Sequence, residues 1–289
     1  MARLNRLISR LYQYVLLTRI NRPVGVFLLL WPTLWALIIA AEGVPHLDVL
    51  LVFVLGVVFM RSAGCVINDI ADRKIDPLVE RTRDRPIAAK RVSTKEALGL
   101  FLFLCIASFL LVLSMNALTI QLSVVAVALA IAYPFMKRYT YLPQVVLGMA
   151  FGWAIPMGFA AQTGAVPQIA WLIFVVNIIW SVCYDTMYAI ADRRDDIRAG
   201  VKSSAILFGD ADRAIIGILQ LMMLIGLILM GRQLSFTFPY YLSLLFVIAL
   251  GVYQQYLIRN RQPKACINAF LNNNWTGLAI TLGIALNYL

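Results

Sequence analysis

Long apolar runs dominate the chain and predict helices that cross a membrane. A helix needs roughly 20 mostly apolar residues to span a bilayer, and nine such runs can be counted, although short breaks between some neighbours leave eight as an alternative. The runs are too long and continuous for barrel strands, and a lipid-facing backbone must satisfy its own hydrogen bonds. We therefore predict an all-α integral membrane protein. The nine predicted spans lie near residues 23–41, 46–66, 97–115, 117–136, 143–161, 167–187, 213–230, 238–258 and 268–288.

The overall composition supports this class and excludes several others. Of the 289 residues, 62% are hydrophobic and 13% are charged, and the mean hydropathy is +0.83. Soluble domains carry about 45–50% apolar and about 25% charged residues. A soluble enzyme, a nucleic-acid-binding domain and a disordered tail are therefore excluded. The four cysteines are dispersed and His46 is the only histidine, so neither a disulfide framework nor zinc or histidine chemistry is indicated.

Basic residues are distributed unevenly between the two sides that nine spans define. Of the 25 lysines and arginines, all except Arg232 fall in the N-terminal segment, in the loops after even-numbered spans or at the adjoining span ends. The positive-inside rule makes that side cytoplasmic. We therefore expect a cytoplasmic N-terminus, a periplasmic C-terminus and an amphipathic cytoplasmic segment over residues 1–22. Most of the excess positive charge is therefore explained by the orientation of the chain in the membrane.

Acidic residues concentrate in two short windows, each of which follows an even-numbered span. The windows run from Asn68 to Asp76 and from Asp185 to Asp196, and together they hold seven of the 14 acidic residues. Each contains an Asp-x3-Asp pair, Asp72 with Asp76 and Asp192 with Asp196. If both helices continue past the bilayer, residues three, four and seven apart share one face. The windows then become two carboxylate stripes at the membrane surface.

Two opposed carboxylate pairs favour a site for Mg²⁺ and a diphosphate. Carboxylates are hard ligands that suit Mg²⁺, which usually binds one or two of them together with substrate phosphate. Neighbouring basic side chains could bind the remaining oxygens of the diphosphate. Charges at a helix end are often only solvated ion pairs worth about 0–1 kcal/mol each, but the repetition at equivalent positions favours the site. The basic residues are Arg73, Lys74, Arg81, Arg85, Lys137, Arg138 and Lys202.

At these residues the sequence resembles the UbiA-type membrane prenyltransferases, and the similarity covers nearly the whole chain. Asn68-Asp69-x-x-Asp72-x-x-x-Asp76 and Tyr188-x-x-x-Asp192-x-x-x-Asp196 are similar to the two aspartate motifs of that family. Further segments resemble the bacterial branch that acts on 4-hydroxybenzoate in ubiquinone synthesis. They are Arg22-Pro23-x-Gly25, Trp31-Pro32-Thr33-Leu34-Trp35-Ala36, Arg61-x-Ala63-Gly64-Cys65, Tyr133-Pro134-Phe135-Met136-Lys137-Arg138, Pro143-Gln144, Gly152-Trp153, Tyr184-Asp185-Thr186, Gly200-Val201-Lys202-Ser203 and Asn272-Asn273-Asn274.

The resemblance implies a fold, a location and a reaction. The fold would be nine transmembrane helices around a central cavity, in a bacterial inner membrane, with the active site facing the cytoplasm. The reaction would transfer a polyprenyl group from polyprenyl diphosphate to the ring carbon ortho to the hydroxyl of 4-hydroxybenzoate. We expect one domain over residues 1–289, with cytoplasmic catalytic loops over residues 67–95 and 188–212. The isoprenoid tail would reach the lipid bilayer through a lateral opening.

The resemblance also implies roles for individual residues. Asp72, Asp76, Asp192 and Asp196 would hold Mg²⁺ and the diphosphate, and Asn68 would orient them. Asp69, Asp185 and Asp195 would serve either as ligands or as supporting residues. Tyr188 is a catalytic candidate because an aromatic face stabilises a carbocation, although Trp180, Tyr184 and Tyr188 could instead be interfacial anchors. Asp192 is a candidate base for the ring proton. The substrate-binding candidates are Asn68, Lys137, Lys202 and, for the carboxylate of the acceptor, Arg138 first, followed by Arg73 and Arg22.

Two other functions stay open at this point. Another family member would prenylate a different aromatic acceptor or quinone precursor. An ion-coupled secondary transporter would also contain many spans and acids in or near the membrane, but transporters usually place such groups near the middle of the bilayer. No nucleic acid is expected as a partner, and no protein partner can be inferred.

Overall fold

The apolar runs fold into helices throughout the part of the chain that the structure describes. The computed structural model describes the backbone of residues 2–289 and the side chains of residues 8–289, so the side chains of Arg3 and Arg6 in the predicted amphipathic segment lie outside it. No strand occurs within those residues. The α-helices are α1 (Ala2–Thr18), α2 (Val24–Ala40), α3 (Leu47–Ala71), α4 (Thr94–Val112), α5 (Ala117–Ala132), α6 (Pro143–Gly152), α7 (Ala154–Thr163), α8 (Gln168–Ala199), α9 (Ser204–Phe208), α10 (Asp212–Gln233), α11 (Phe238–Ile258) and α12 (Pro263–Asn287).

Seven helical segments of the described chain are long and apolar enough to cross a membrane. Some combine adjacent elements, as where α6 and α7 join at Trp153. The seven do not include α2, which has 17 residues and a length of about 25 Å at 1.5 Å per residue. They also do not include α12, in which residues 272–274 are three consecutive asparagines that lower its hydropathy. The count of nine spans and the orientation of the termini therefore stay predictions.

Several helix ends follow local rules that the sequence carries. The Ser93 hydroxyl accepts a hydrogen bond from the Glu96 N–H at the start of α4, and the Asn116 side chain accepts one from the Thr119 N–H at the start of α5. Both are N-caps that satisfy donors which the helix leaves free. Gly200 ends α8 with φ of 66°, a left-handed conformation that glycine adopts without steric cost.

Helix α8 runs through the densest part of the bundle and packs against α2, α6, α7, α10 and α12. Trp180 of α8 is fully buried, and its ring stacks on Trp35 of α2 with centroids 5.4 Å apart. Its indole N–H donates to Asn273 Oδ1 at 2.9 Å. Asn274 accepts from Trp31 at 3.0 Å, and Asn272 accepts from the Gln254 amide at 3.0 Å. The asparagines of α12 are thus paired with neighbouring helices, as polar groups inside a membrane protein must be.

An apolar cavity of about 130 Å³ lies among α2 to α7. Phe53 and Val57 of α3, together with side chains from the surrounding helices, form its walls. Along α3 the lining continues to Arg61 and Gly64, one turn before Asn68, and Tyr133 joins it there. The cavity therefore approaches the first acidic window from within the bundle.

Candidate active site

The first acidic window lies at the end of α3 and in the irregular segment that follows. The last turn of α3 closes with a hydrogen bond from the Asp72 N–H to the Asn68 carbonyl at 2.9 Å. The Arg138 guanidinium donates to the carbonyl of Ala71 at 2.7 Å and so caps the helix end. The expected continuous stripe of residues 68, 72 and 76 on one helix is therefore wrong. Asp76 lies instead in a short 3₁₀ turn, because the following Pro77 disfavours an α-helical conformation at the preceding residue.

Despite this turn, the carboxylates of the first window are close to one another and buried. Asp69, Asp72 and Asp76 are 1%, 2% and 4% exposed. Asp72 accepts hydrogen bonds from the Asn68 amide at 3.3 Å and from the Lys137 ammonium group. Buried carboxylates need such partners, since the charge loses its hydration on burial. Lys137, predicted to bind substrate, is thus placed on the first aspartate motif.

Arg85 links two of these acids from the far side of the loop. Its Nη1 lies 3.0 Å from both carboxylate oxygens of Asp76 and 3.2 Å from Oδ1 of Asp69. Asp69 also accepts from Arg19, just beyond the end of α1, at 2.5 Å. Burial raises the pKa of the Asp76 carboxyl, and neighbouring Asp69 and Asp72 raise it further, while Arg85 opposes the shift. The loop after α3 is therefore fastened by ion pairs between its own acidic and basic residues.

The second acidic window is helical along its whole length. Helix α8 continues unbroken to Ala199, so residues 188–199 of the predicted catalytic loop form its last turns. Asp185, Tyr188, Asp192 and Asp196 fall on one face of α8 by their spacing. Arg81 binds the Asp192 carboxylate with both arms of its guanidinium group, Nε donating at 3.0 Å. The same guanidinium lies over the Tyr188 ring, 4.8 Å from its centroid.

Basic side chains join the two windows into one site. Arg81 comes from the loop after the first motif and binds Asp192 of the second. In the opposite direction, the backbone N–H of Lys202, just after α8, donates to the carbonyl of Lys137 at 3.0 Å, and Lys137 binds Asp72. The Lys202 ammonium group donates to the carbonyl of Tyr139 at 3.0 Å. Both aspartate pairs therefore occupy the same end of the bundle, separated by a layer of cations.

The donor atoms at this site suit a hard cation. In the described residues no three histidine, cysteine or acidic side chains converge closely enough to hold a metal together. Oδ1 of Asp72 and Oδ2 of Asp69 are nevertheless buried without a hydrogen-bond partner. A buried carboxylate oxygen without a partner is costly, and binding a metal would satisfy it. The residues thus fit Mg²⁺ in chemistry, with lysine and arginine as their partners in this conformation.

Comparison with known proteins identifies the family. Residues 29–278 match the family model described as "UbiA prenyltransferase family". The chain belongs to that family. It is 59% identical to the 4-hydroxybenzoate octaprenyltransferase of Photobacterium profundum, over 94% of each chain. It is 60% identical to the protein of the same name from Alkalilimnicola ehrlichii, over 96% of this chain and 95% of the relative. The resemblance seen in the sequence motifs is confirmed.

Solved structures of the UbiA family have the same fold. The apo structure of a UbiA homolog from Aeropyrum pernix K1 matches with a TM-score of 0.81 and 25% identity, covering 92% of this chain and 98% of that one. A UbiA homolog from Archaeoglobus fulgidus bound to GPP and Mg²⁺ matches with a TM-score of 0.73 and 18% identity, covering 96% of this chain and all of that one. Seven helical segments of the described residues are long and apolar enough to cross a membrane, and the chain is a multi-pass membrane protein of the UbiA fold.

Other predicted substrate-binding residues of this UbiA-family chain lie at the rim of the site. Arg73 is exposed and donates to the carbonyl of Ile70 at 2.9 Å. Arg22 is exposed, and its guanidinium has no hydrogen-bond partner within the described side chains. Arg138, the first candidate for the acceptor carboxylate, caps α3 and lies 5.3 Å from the centroid of Phe135. These three arginines are therefore less enclosed than Lys137 and Arg85.

Arg61 is the residue that the sequence reasoning missed. It lines the cavity on α3, and its guanidinium group faces Cys65, with Nη1 2.7 Å from Sγ, and the ring of Phe151. Its Nε is buried without a partner, and no carboxylate lies within ion-pair distance among the described residues. The signal was present in the sequence, since Arg61 falls inside a predicted span and an ionisable residue there is a functional candidate by default.

A cluster of ion pairs around Asp212, next to the second motif, is another feature that the sequence reasoning did not predict. Asp212, at the start of α10, is fully buried and binds Arg193 of α8. It also binds Arg261, in the loop before α12, at 2.9 Å. Because Arg193 directly follows Asp192, this three-residue cluster holds the end of α8 against α10 and the start of α12. Its role is structural, and it fixes the orientation of the second motif.

Proposed function

We propose that the protein is a Mg²⁺-dependent transferase that moves a polyprenyl group from polyprenyl diphosphate to 4-hydroxybenzoate. The new bond would form at the ring carbon ortho to the hydroxyl group. The observation that carries this proposal is the arrangement of two aspartate pairs, joined by cations, beside an apolar cavity that contains an arginine. The names of the relatives that are 59–60% identical over nearly the whole chain supply the acceptor and the reaction type.

The diphosphate would bind between the two motifs. Asp72, Asp76, Asp192 and Asp196 are the proposed Mg²⁺ ligands. Bound Mg²⁺ would neutralise the negative charge that develops on the diphosphate as the carbon–oxygen bond breaks. Asp72 and Asp192 are now paired with basic side chains, which would turn to the phosphate oxygens when metal and substrate enter. Those side chains are Lys137 and Arg81. Arg85, which binds Asp76, would join them, with Lys202 and Asn68 at the margin.

The isoprenoid chain would occupy the apolar cavity and continue into lipid. Phe53, Val57 and their neighbours exclude water from the carbon that becomes cationic, and this exclusion prevents its hydrolysis. Tyr188 presents a ring close to Asp192, through their shared partner Arg81. That ring is the proposed stabiliser of the allylic cation, an interaction worth about 0.5–2 kcal/mol.

The carboxylate of the acceptor would bind Arg61 rather than Arg138. Arg61 is enclosed by the cavity and has no acidic partner within the described residues, whereas Arg138 already caps α3. A guanidinium group binds a carboxylate with two parallel hydrogen bonds. Arg138 stays the competing assignment. We place the enzyme in the bacterial inner membrane with this site facing the cytoplasm, in agreement with the distribution of basic residues.

Product analysis would test the proposed function. Purified protein in lipid nanodiscs is incubated with polyprenyl diphosphate, Mg²⁺ and a panel of labelled acceptors: 4-hydroxybenzoate, 3-hydroxybenzoate and 1,4-dihydroxy-2-naphthoate. We expect mass spectrometry to identify 3-polyprenyl-4-hydroxybenzoate as the main product. Preference for another acceptor would reassign the substrate within the family. Uptake of a solute into proteoliposomes without any prenylated product would instead support the transporter.

A further inference from the structure

Gly25, the second residue of α2, is buried and lies directly against the guanidinium group of Arg61. A Cβ atom placed on Gly25 would lie 2.5 Å from both Nε and Nη2 of Arg61 and 2.9 Å from its Cζ. Non-bonded heavy atoms pack best at about 3.5–4.0 Å, so a side chain at position 25 would displace the guanidinium. The obstructing atoms are the end of a flexible side chain, and Arg61 rather than the helix would therefore move.

The three distances show which part of the guanidinium group Gly25 covers. The Cβ position is equally far from Nε and Nη2 and farther from Cζ, so it lies in front of the edge that these two nitrogens share. Nε is also buried without a hydrogen-bond partner, as expected for a donor that faces a glycine Cα. Helix α2 therefore closes this edge of the group to a ligand.

Two further contacts hold other sides of the guanidinium group. Its Nη1 donates to Sγ of Cys65, one turn further along α3, at 2.7 Å. The ring of Phe151, on α6, has its centroid 5.6 Å from Cζ. Among the described residues, no carboxylate lies within ion-pair distance of Arg61. Packing against α2, α3 and α6, and not an acidic partner, therefore sets the position of this charge.

The backbone of α2 does not itself require a glycine at position 25. Gly25 lies inside a regular helix, and its φ is not positive. Alanine is a better helix former, because glycine loses more conformational freedom when the chain folds. The close approach of Arg61 is the feature that requires the missing side chain.

We propose that Gly25 is a positioning residue that aligns Arg61 with the carboxylate of the acceptor and so determines specificity for an aromatic acid. The inference rests on the proposed function, in which Arg61 binds that carboxylate. With its Nε–Nη2 edge closed, the guanidinium offers the end formed by Nη1 and Nη2 to the cavity that Arg61 lines. A carboxylate binds such an end with one oxygen on each nitrogen. A methyl group at position 25 would shift the guanidinium away from α2 and break this alignment.

The experiment compares Gly25→Ala with wild type on 4-hydroxybenzoate and on its methyl ester, which has no carboxylate. Gly99→Ala is the matched control, because Gly99 is exposed on α4 and a Cβ atom there meets nothing within 4 Å. We expect Gly25→Ala to raise the KM for the acid by about tenfold or more, since a hydrogen bond to a charged group is lost. The kcat, the KM for prenyl diphosphate and the KM for the ester should stay within about twofold of the wild-type values. The control should have wild-type constants for every substrate.

A double variant tests whether Gly25 acts through Arg61. Glutamine at position 61 is shorter and uncharged, so a methyl group at position 25 no longer displaces a guanidinium. We therefore expect the KM for the acid in Gly25→Ala/Arg61→Gln to lie within about twofold of that in Arg61→Gln alone. If Gly25→Ala raises this KM by the same factor in both backgrounds, the two residues act independently and the proposal is overturned.

The remaining outcomes separate positioning from general packing. We expect the melting temperature of Gly25→Ala to equal or exceed that of wild type, because alanine favours the helix. Loss of folding, an equal loss on acid and ester, or an unchanged KM for the acid would each overturn the proposal. If wild-type protein does not prenylate 4-hydroxybenzoate, the proposed function itself has failed. If it does and Gly25→Ala behaves like wild type, only the role of Gly25 has failed.

Discussion

Replacement of Arg61 separates the two assignments for the acceptor carboxylate. In Arg61→Gln the side chain keeps a polar end but loses its charge and its planar donor pair. In Arg61→Lys the side chain keeps its charge and loses only the planar pair of guanidinium donors that can bind both oxygens of a carboxylate. Arg138→Gln is the matched control, because Arg138 lies at the rim and donates to a backbone carbonyl. We expect both Arg61 variants to bind 4-hydroxybenzoate more weakly, the glutamine variant more severely.

The size of the effect follows from the surroundings of Arg61. The cavity around it is mostly apolar, and its Nε is buried without a partner. Within the described residues, the hydrogen-bond acceptor of its Nη1 is the sulfur of Cys65. The carboxylate of the acceptor would therefore bind guanidinium N–H groups of Arg61 that have no other strong hydrogen-bond acceptor. A hydrogen bond to a charged group is worth about 1.5–3 kcal/mol, which corresponds to a rise in KM of about 10- to 150-fold at 1.36 kcal/mol per decade.

Steady-state kinetics with both substrates varied would measure this effect. The KM for 4-hydroxybenzoate should rise in Arg61→Gln, whereas the KM for prenyl diphosphate should stay within about twofold of the wild-type value. The KM for the methyl ester of the acid, which has no carboxylate, should be similar in wild type and variant. If Arg138→Gln raises the KM of the acid while Arg61→Gln leaves it unchanged, the assignment to Arg61 is refuted. Equal loss on the acid and its ester would show that the variant has lost the shape of the cavity.

The metal site and its support lead to three more predictions. Asp72→Asn and Asp192→Asn should each reduce turnover by at least about 10²-fold, measured as product formed in nanodiscs, because each motif holds part of the metal–diphosphate complex. Removing divalent cations with a chelator should abolish transfer and added Mg²⁺ should restore it; activity that persists would disprove the metal dependence. Asp212→Ala should lower the free energy of unfolding by about 1–3 kcal/mol, seen as a lower melting temperature, since Arg193 loses its buried partner.

Much of the helical framework could be predicted from hydrophobic patterning because it is local. Ten of the eleven α-helices between Val24 and Asn287 overlap the predicted runs, and the exception is the short α9. The two aspartate windows occur at one end of the bundle. The patterning could not foresee that α3 ends at Ala71, where Pro77, Arg138 and the ion pairs of Arg85 redirect the chain. Pro77 and Arg85 act over short distances in the sequence but outside the helical period, and the contact of Arg138 with Ala71 joins residues 67 positions apart.

The site residues that belong to a repeated motif could be predicted from the sequence. A single residue whose role depends on its packed surroundings could not. The Asp-x3-Asp pairs are visible as a pattern, and Lys137 and Arg81 do bind members of them. Arg61 carries no repeat. Its significance comes from the absence of a partner of opposite charge within the described residues, which only the packed structure reveals. The membership of the UbiA family, by contrast, is confirmed by the family model.

Binding of diphosphate with metal tests most directly whether the two motifs act as one site. Mn²⁺ replaces Mg²⁺ as a paramagnetic probe, and its binding with inorganic diphosphate is measured by electron paramagnetic resonance for wild type, Asp72→Asn and Asp192→Asn. We predict that wild type binds Mn²⁺ tightly only when diphosphate is present. Each single variant should weaken that binding by about tenfold or more, roughly 1.4 kcal/mol. Wild-type affinity in either variant would contradict a shared site.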